Sequence, residues 1–323
     1  MKRLLSIELQ KIWLSKASRV LTIAYFGLLS LIAVIASVKF DIGPIHIDLK
    51  ENGIFNFPYI WHFNTYIADF LKFFLAIIIV SMVANEYSYG TLKQNLIDGM
   101  SKKEFIASKF LTVALFALAS AVFVFVMSLI LGYSFSDFTS FDVVVMDLEY
   151  LLAYFIKLLA YFSFCLFAGI LIKRSAFAIG FVILWYFIEK IAYGLLKFQI
   201  FNESDKVDAV FAFFPLESMS NLLVEPFSRL QIVEETSKQI GAGYIKDYDV
   251  HFSSILIVLV WTVIFIVASY KLLKNRDLSV LKFYDFFLII IKKYIFGFYT
   301  KTTNEKMLPT FLLAICFHFL CAI

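Results

Sequence analysis

VLTIAYFGLLSLIAVIASV, residues Val20–Val38, runs nineteen positions without a charge. A helix of roughly 17–25 apolar residues crosses the hydrocarbon core of a bilayer, where backbone N–H and C=O groups find no water and must bond one another within the segment. Five further stretches have the same character: about Trp61–Ala84, Phe105–Tyr133, Tyr150–Ile172, Ser175–Leu196 and Phe252–Tyr270. The expected fold is all-α, a polytopic membrane protein with six transmembrane helices. Composition agrees: 61% of the 323 residues are apolar, mean hydropathy is +0.84, and 17% are charged against about 25% in ordinary globular domains. A soluble protein is excluded.

Basic residues alternate between the connections. Lys2, Arg3, Lys11, Lys16 and Arg19 precede the first span, Lys93, Lys102, Lys103 and Lys109 follow the second, Lys173 and Arg174 follow the fourth, and Lys271, Lys274 and Arg276 follow the sixth. The third connection instead holds Asp137, Asp142, Asp147 and Glu149 without a basic residue. An excess of Lys and Arg marks cytoplasmic connections, so both ends of the six-span core are expected inside the cell. The net charge of +4 is explained by this sidedness, with the bilayer as partner and no nucleic acid. Residues 1–19 place Leu4, Leu5, Leu9, Ile12 and Trp13 on one helical face and most charges, Glu8 among them, on the other. They read as an amphipathic helix in the inner interface, or as a short helix packed on a neighbour. Their charges also argue against a cleaved signal peptide.

The second connection is the most ordered in sequence. Thr91 with Gln94, and Ser101 with Glu104, have capping-box spacing, and Gly99 suits the left-handed end of a short helix starting at about Leu92. So short a helix, apolar at Leu92, Leu96 and Ile97, needs something to dock against. The alternative is a well-capped turn between two spans.

The run Asn85–Lys109, NEYSYGTLKQNLIDGMSKKEFIASK, lying between a second and a third span, resembles the cytoplasmic loop of ABC-2 type permeases, the membrane subunits of a class of bacterial ATP-driven exporters. The amphipathic N-terminus, the six spans, the large fifth connection and the exit Tyr270–Leu278 are also similar, so the resemblance covers about residues 1–278. It implies a six-span permease domain over 1–278, in the bacterial cytoplasmic membrane with its N-terminus in the cytoplasm. It also implies a homodimer or a pairing with a related permease, and a separate ATP-binding cassette ATPase as partner. The short helix would be the coupling helix: Thr91, Leu92, Gln94, Asn95 and Asp98 would contact the ATPase, within a segment completed by Glu86, Gly90, Leu96 and Gly99. Residues 279–323, an apolar tail carrying Lys292 and Lys293, have no counterpart in that pattern.

The chain has no Gly-x-x-x-x-Gly-Lys-Ser/Thr loop for nucleotide phosphates, so no cofactor is expected in this chain and energy would come from another subunit or an ion gradient. His46, His62, His251 and His318 show no metal-ligand spacing, and no serine has a nucleophile-elbow setting, so the chain is expected to be a transporter subunit and not an enzyme. Cys165, Cys316 and Cys321 read as reduced structural residues. Two other functions stay open: a membrane-anchored interaction or immunity protein that transports nothing, and an ion-driven secondary transporter.

Five charges fall inside spans: Asp69 and Lys72 in the second, Lys157 in the fourth, Glu189 and Lys190 in the fifth. Each lies roughly 9–17 Å from the outer end of its helix at about 1.5 Å per residue. Charges there are costly unless paired or facing a polar cavity. They read as one ion-paired layer, or as lysines reaching outward to headgroups with the carboxylates neutralising them. The fifth connection, about 197–250, contains Phe211–Pro226, an apolar stretch bounded by prolines that reads as a re-entrant or interfacial helix, or as an ordinary packed loop.

Overall fold

The computed structural model describes residues 2–38, 40–42, 45–47, 53–197, 206–229 and 247–275. Six helices are long and apolar enough to cross a membrane, and the protein is an all-α polytopic membrane protein. An N-terminal helix α1 (Lys2–Leu14) leads through Ser15, the N-cap, into the first span α2 (Lys16–Ala36). A short antiparallel hairpin of β1 (Phe40–Ile42) and β2 (Ile45–Ile47), which hydropathy did not signal, precedes the second span α3 (Tyr59–Ser88). The seven-residue α4 (Thr91–Ile97) joins α3 to the third span α5 (Lys102–Phe135). After α6 (Phe141–Val145) come the fourth and fifth spans, α7 (Glu149–Ile172) and α8 (Ser175–Leu195). Two short helices, α9 (Lys206–Phe211) and α10 (Pro215–Ser220), lie before the last span α11 (Phe252–Asn275). The tail 279–323, with Cys316 and Cys321, lies outside the described residues.

The bundle is built around α7, which packs on α3, α5, α8 and α11. In its apolar window 72% of residues are buried, against 17% in α2 and in α8, so those two helices form the flanks. Hydrophobicity does not select α7 for the centre, because lipid tails are as apolar as leucine. Small residues do, by letting backbones approach. Ala153, Ala160, Ser163 and Ala168 are fully buried along it. At Gly169 a Cβ would stand 3.3 Å from both the Val80 carbonyl oxygen and the Val83 Cβ of α3. Cys165 is buried in the same helix as a free thiol.

Hydroxyls and amides bind the helices to one another where lipid offers no competitor. Tyr25 of α2, Ser120 of α5 and Tyr154 of α7 form a buried hydroxyl triangle, with Tyr154 2.8 Å from Tyr25 and 2.9 Å from Ser120. Asn64 of α3 donates to Ser128 of α5 at 2.8 Å.

Candidate functional site

At one end of the bundle α4 is suspended between two glycines with positive φ, Gly90 at 72° and Gly99 at 98°. Left-handed backbone at both positions costs a glycine little and lets the chain turn sharply into and out of the helix. The Ser101–Glu104 capping box that starts α5 forms completely. The expected Thr91–Gln94 box does not: Gly90 takes the cap position without a side-chain bond, and the Thr91 hydroxyl donates to the Glu86 carboxylate. A carboxylate is the stronger acceptor, and it is already held in place five residues back. Gln94 instead donates to Asp98 at 2.9 Å across one turn.

The two faces of α4 differ. Leu92 is buried and Leu96 packs on the core, while Asn95 reaches Glu86 at 3.4 Å. Those residues fasten the helix to its own bundle, with Leu92 buried and Asn95 partly so. Tyr89, Lys93, Gln94, Ile97 and Asp98 are exposed, with Tyr89 and Ile97 more than three-quarters so. An exposed tyrosine and isoleucine flanking an amide, a lysine and an aspartate make a small amphipathic exposed face.

Beneath α4 lies a buried ionic cluster. Lys109 of α5, with no exposed surface, pairs with Glu8 of α1 and, at 2.9 Å, with Glu86 of α3. Lys11 adds a bond to Glu86 at 3.0 Å and an ion pair with Glu8 at 3.5 Å. Burial of Lys11 works against its charge, but the attached Glu86 and the nearby Glu8 outweigh it and raise its pKa. Two carboxylates and two ammoniums thus lock α1, α3, α4 and α5 together. Helical periodicity places Glu8 on the polar face of α1 and Trp13 on the apolar one; in the structure Glu8 points inward and Trp13 is 56% exposed. An exposed tryptophan on an amphipathic helix fits the membrane–water interface. The α11 terminus lies at this same end, where Lys102 donates to the Lys274 carbonyl at 3.4 Å, as does the α7–α8 turn, where Lys173 stands 5.9 Å from the Tyr87 ring.

The five intramembrane charges separate into two groups rather than one layer. Asp69 accepts from Lys72 at 2.7 Å and pairs with Lys157 at 3.0 Å, and the Lys72 ammonium also stands 4.9 Å over the Tyr161 ring. Glu189 pairs with neither neighbouring lysine: it accepts the Trp185 indole N–H at 2.7 Å and the backbone N–H groups of Leu216 and Glu217 at the start of α10. Lys190 pairs with Glu217 at 2.7 Å. The fifth connection causes this division. Its α10 begins at Pro215, packs against α7, α8 and α11, and offers Glu189 the unsatisfied amides of a helix start. Between the two prolines a six-residue helix is present, preceded by the Trp261 bond to the Phe213 carbonyl at 2.9 Å.

At the opposite end of the bundle from α4 an aromatic assembly closes over α3. His62 stacks flat on Tyr150 with centroids 4.2 Å apart, lies 2.7 Å from the Val224 carbonyl and 3.3 Å from the Arg229 guanidinium. Arg229 stands 4.4 Å over Tyr248. These contacts tie the fifth connection to α3 and α7, a role that an isolated histidine in sequence does not announce. Among the described residues no group of three His, Cys, Asp or Glu side chains is placed to hold a metal.

Residues 31–279 match the family described as Protein of unknown function (DUF2705). A 79-residue stretch is 35% identical to the Uncharacterized protein YhcI of Bacillus subtilis (strain 168), covering 24% of this chain and 25% of that one. The chain thus spans about a quarter of the length of that relative.

Proposed function

The chain belongs to the DUF2705 family, and we propose that it is the permease subunit of an ATP-driven exporter in the bacterial cytoplasmic membrane, moving substrate outward with energy supplied by a separate ATPase. The observation that carries this reading is α4. It is fixed inward by Leu92, Thr91 and Asn95, faces outward with Tyr89, Lys93, Gln94, Ile97 and Asp98, and is rooted in the Glu8–Lys11–Glu86–Lys109 cluster. A push on its outer face is delivered to α1, α3 and α5 together, because breaking a buried ion pair costs more than moving its helices in concert. The gathering of basic connections at the α4 end supports a cytoplasmic placement of that end and of the N-terminus. Resemblance of the Asn85–Lys109 run to ABC-2 type permeases supports an ATP-binding cassette partner and a dimer of permease chains.

The test is co-purification of the full chain from its native membrane with a phosphate-loop ATPase. Tyr89→Asp and Ile97→Asp are expected to abolish association while leaving the thermal unfolding midpoint of the permease unchanged. Leu92→Asp is expected to lower that midpoint. Undiminished association in both surface variants, or no ATPase co-purifying with the wild type, overturns the reading.

A further inference from the structure

Asp69, Lys72 and Lys157 border a cavity of about 320 Å³ between α3, α7, α8 and α10. The charged residues of its lining are one carboxylate and two ammonium groups. One carboxylate serves two ammonium groups, and the other acids nearby are engaged elsewhere: Glu217 by Lys190, Glu189 by Trp185 and the α10 amides. Each ammonium carries three donors, and Lys157, whose side chain is 4% exposed, has Asp69 as its ion-pair partner among the described residues. Two ammonium groups sharing one carboxylate within a span keep N–H donors to offer an anionic group that enters the cavity.

The remaining walls are mostly apolar, with Tyr161, Tyr186 and Ser220 adding hydroxyls, and one wall faces outward. Tyr186 and Phe187 of α8 line the cavity and are each at least half exposed on the flank of the bundle, so the cavity communicates with the bilayer sideways. A volume near the lower end of the ~300–1,000 Å³ range of ligand pockets holds a headgroup and the first part of a chain, the rest lying along α8. Tyr161 at the rim already holds the Lys72 ammonium against its ring, keeping it inside the cavity.

We propose that this cavity binds a single-chain anionic amphiphile drawn from the bilayer, its acidic headgroup bonded by Lys72 and Lys157 and its chain held against Tyr186 and Phe187. The site goes beyond the export reading and does not depend on it. Purified full-length chain in nanodiscs of zwitterionic phospholipid is titrated with a fluorescent oleate analogue, which is then displaced by oleate, oleyl alcohol or inorganic phosphate. Oleate is expected to compete at a concentration about tenfold or more below that of oleyl alcohol, as charge-assisted bonds to two ammonium groups require. Lys72→Met and Lys157→Met are expected to remove that preference. Asp69→Asn frees both ammoniums and is expected to tighten oleate binding, a gain that damage to the fold does not produce. Tyr186→Ala with Phe187→Ala, which touches no ion pair, is expected to weaken oleate binding with its preference over the alcohol retained. Equal competition by oleate and oleyl alcohol overturns the proposal, as does inorganic phosphate competing as well as oleate. So does a preference that survives both methionine variants, or an Asp69→Asn chain that binds oleate less well.

Discussion

Lys109 has no exposed surface and touches both Glu8 and Glu86, a pairing it shares with the more exposed Lys11. Replacing it with methionine keeps the volume and leaves two buried carboxylates with Lys11 as the remaining cation of the cluster, so Lys109→Met should destabilise the chain by up to about 3–5 kcal/mol. Chemical unfolding in micelles would measure this, and Glu8→Gln in the same background should recover part of the loss. Lys11, at the margin of the same cluster, gives a pH signature. Its pKa is raised in the folded chain, so its contribution is complete below the unfolded lysine value of 10.5 and is lost as pH climbs through the folded one. The stability difference between wild type and Lys11→Met should therefore be flat across neutral pH and shrink only above 10.5. The sequence exposed some of these pairings and hid others for a geometric reason. Asp69 and Lys72 are one helical turn apart and could be paired on spacing alone. Glu8 and Lys109 are separated by 101 positions, and periodicity placed Glu8 with the solvent-facing charges because helical spacing cannot foresee a buried cation arriving from another helix.

The six spans were legible because hydropathy over twenty residues reports on one physical fact, the absence of water around the backbone. The short connections were less so, since their bonds depend on competition between acceptors: Thr91 had the right spacing to cap α4, and Glu86 took its hydroxyl instead. Hydropathy also could not tell the central helix from the flanking ones, as α7 and α2 are comparably apolar and differ in burial. What separates them is side-chain size. Where α7 crosses α3, Gly169 leaves room for nothing larger, and Gly169→Val should cost about 1–3 kcal/mol through contact with Val80 and Val83. The same substitution at Gly180 of α8, where no atom lies within 4 Å of the added Cβ, should leave the thermal unfolding midpoint nearly unchanged. A pair of unfolding curves decides it.

Taken as one body, the protein has a basic end around α4 and an acidic, aromatic end around Asp142, Tyr150 and Arg229. Single cysteines at Lys93 and Asp142 in a cysteine-free background should react with a membrane-impermeant maleimide from opposite sides, with Asp142 labelled in intact cells and Lys93 only after permeabilisation. Labelling of both in intact cells would contradict the orientation. The enclosure of α7 has a further consequence. Neighbouring helices bury 72% of its apolar window, so a lone copy is packed through its centre, and vesicles carrying it should retain a proton gradient as tightly as empty ones. On the export reading proposed above, substrate would travel along the outer seams, and a blockage engineered there would be felt sooner than any widening of the middle.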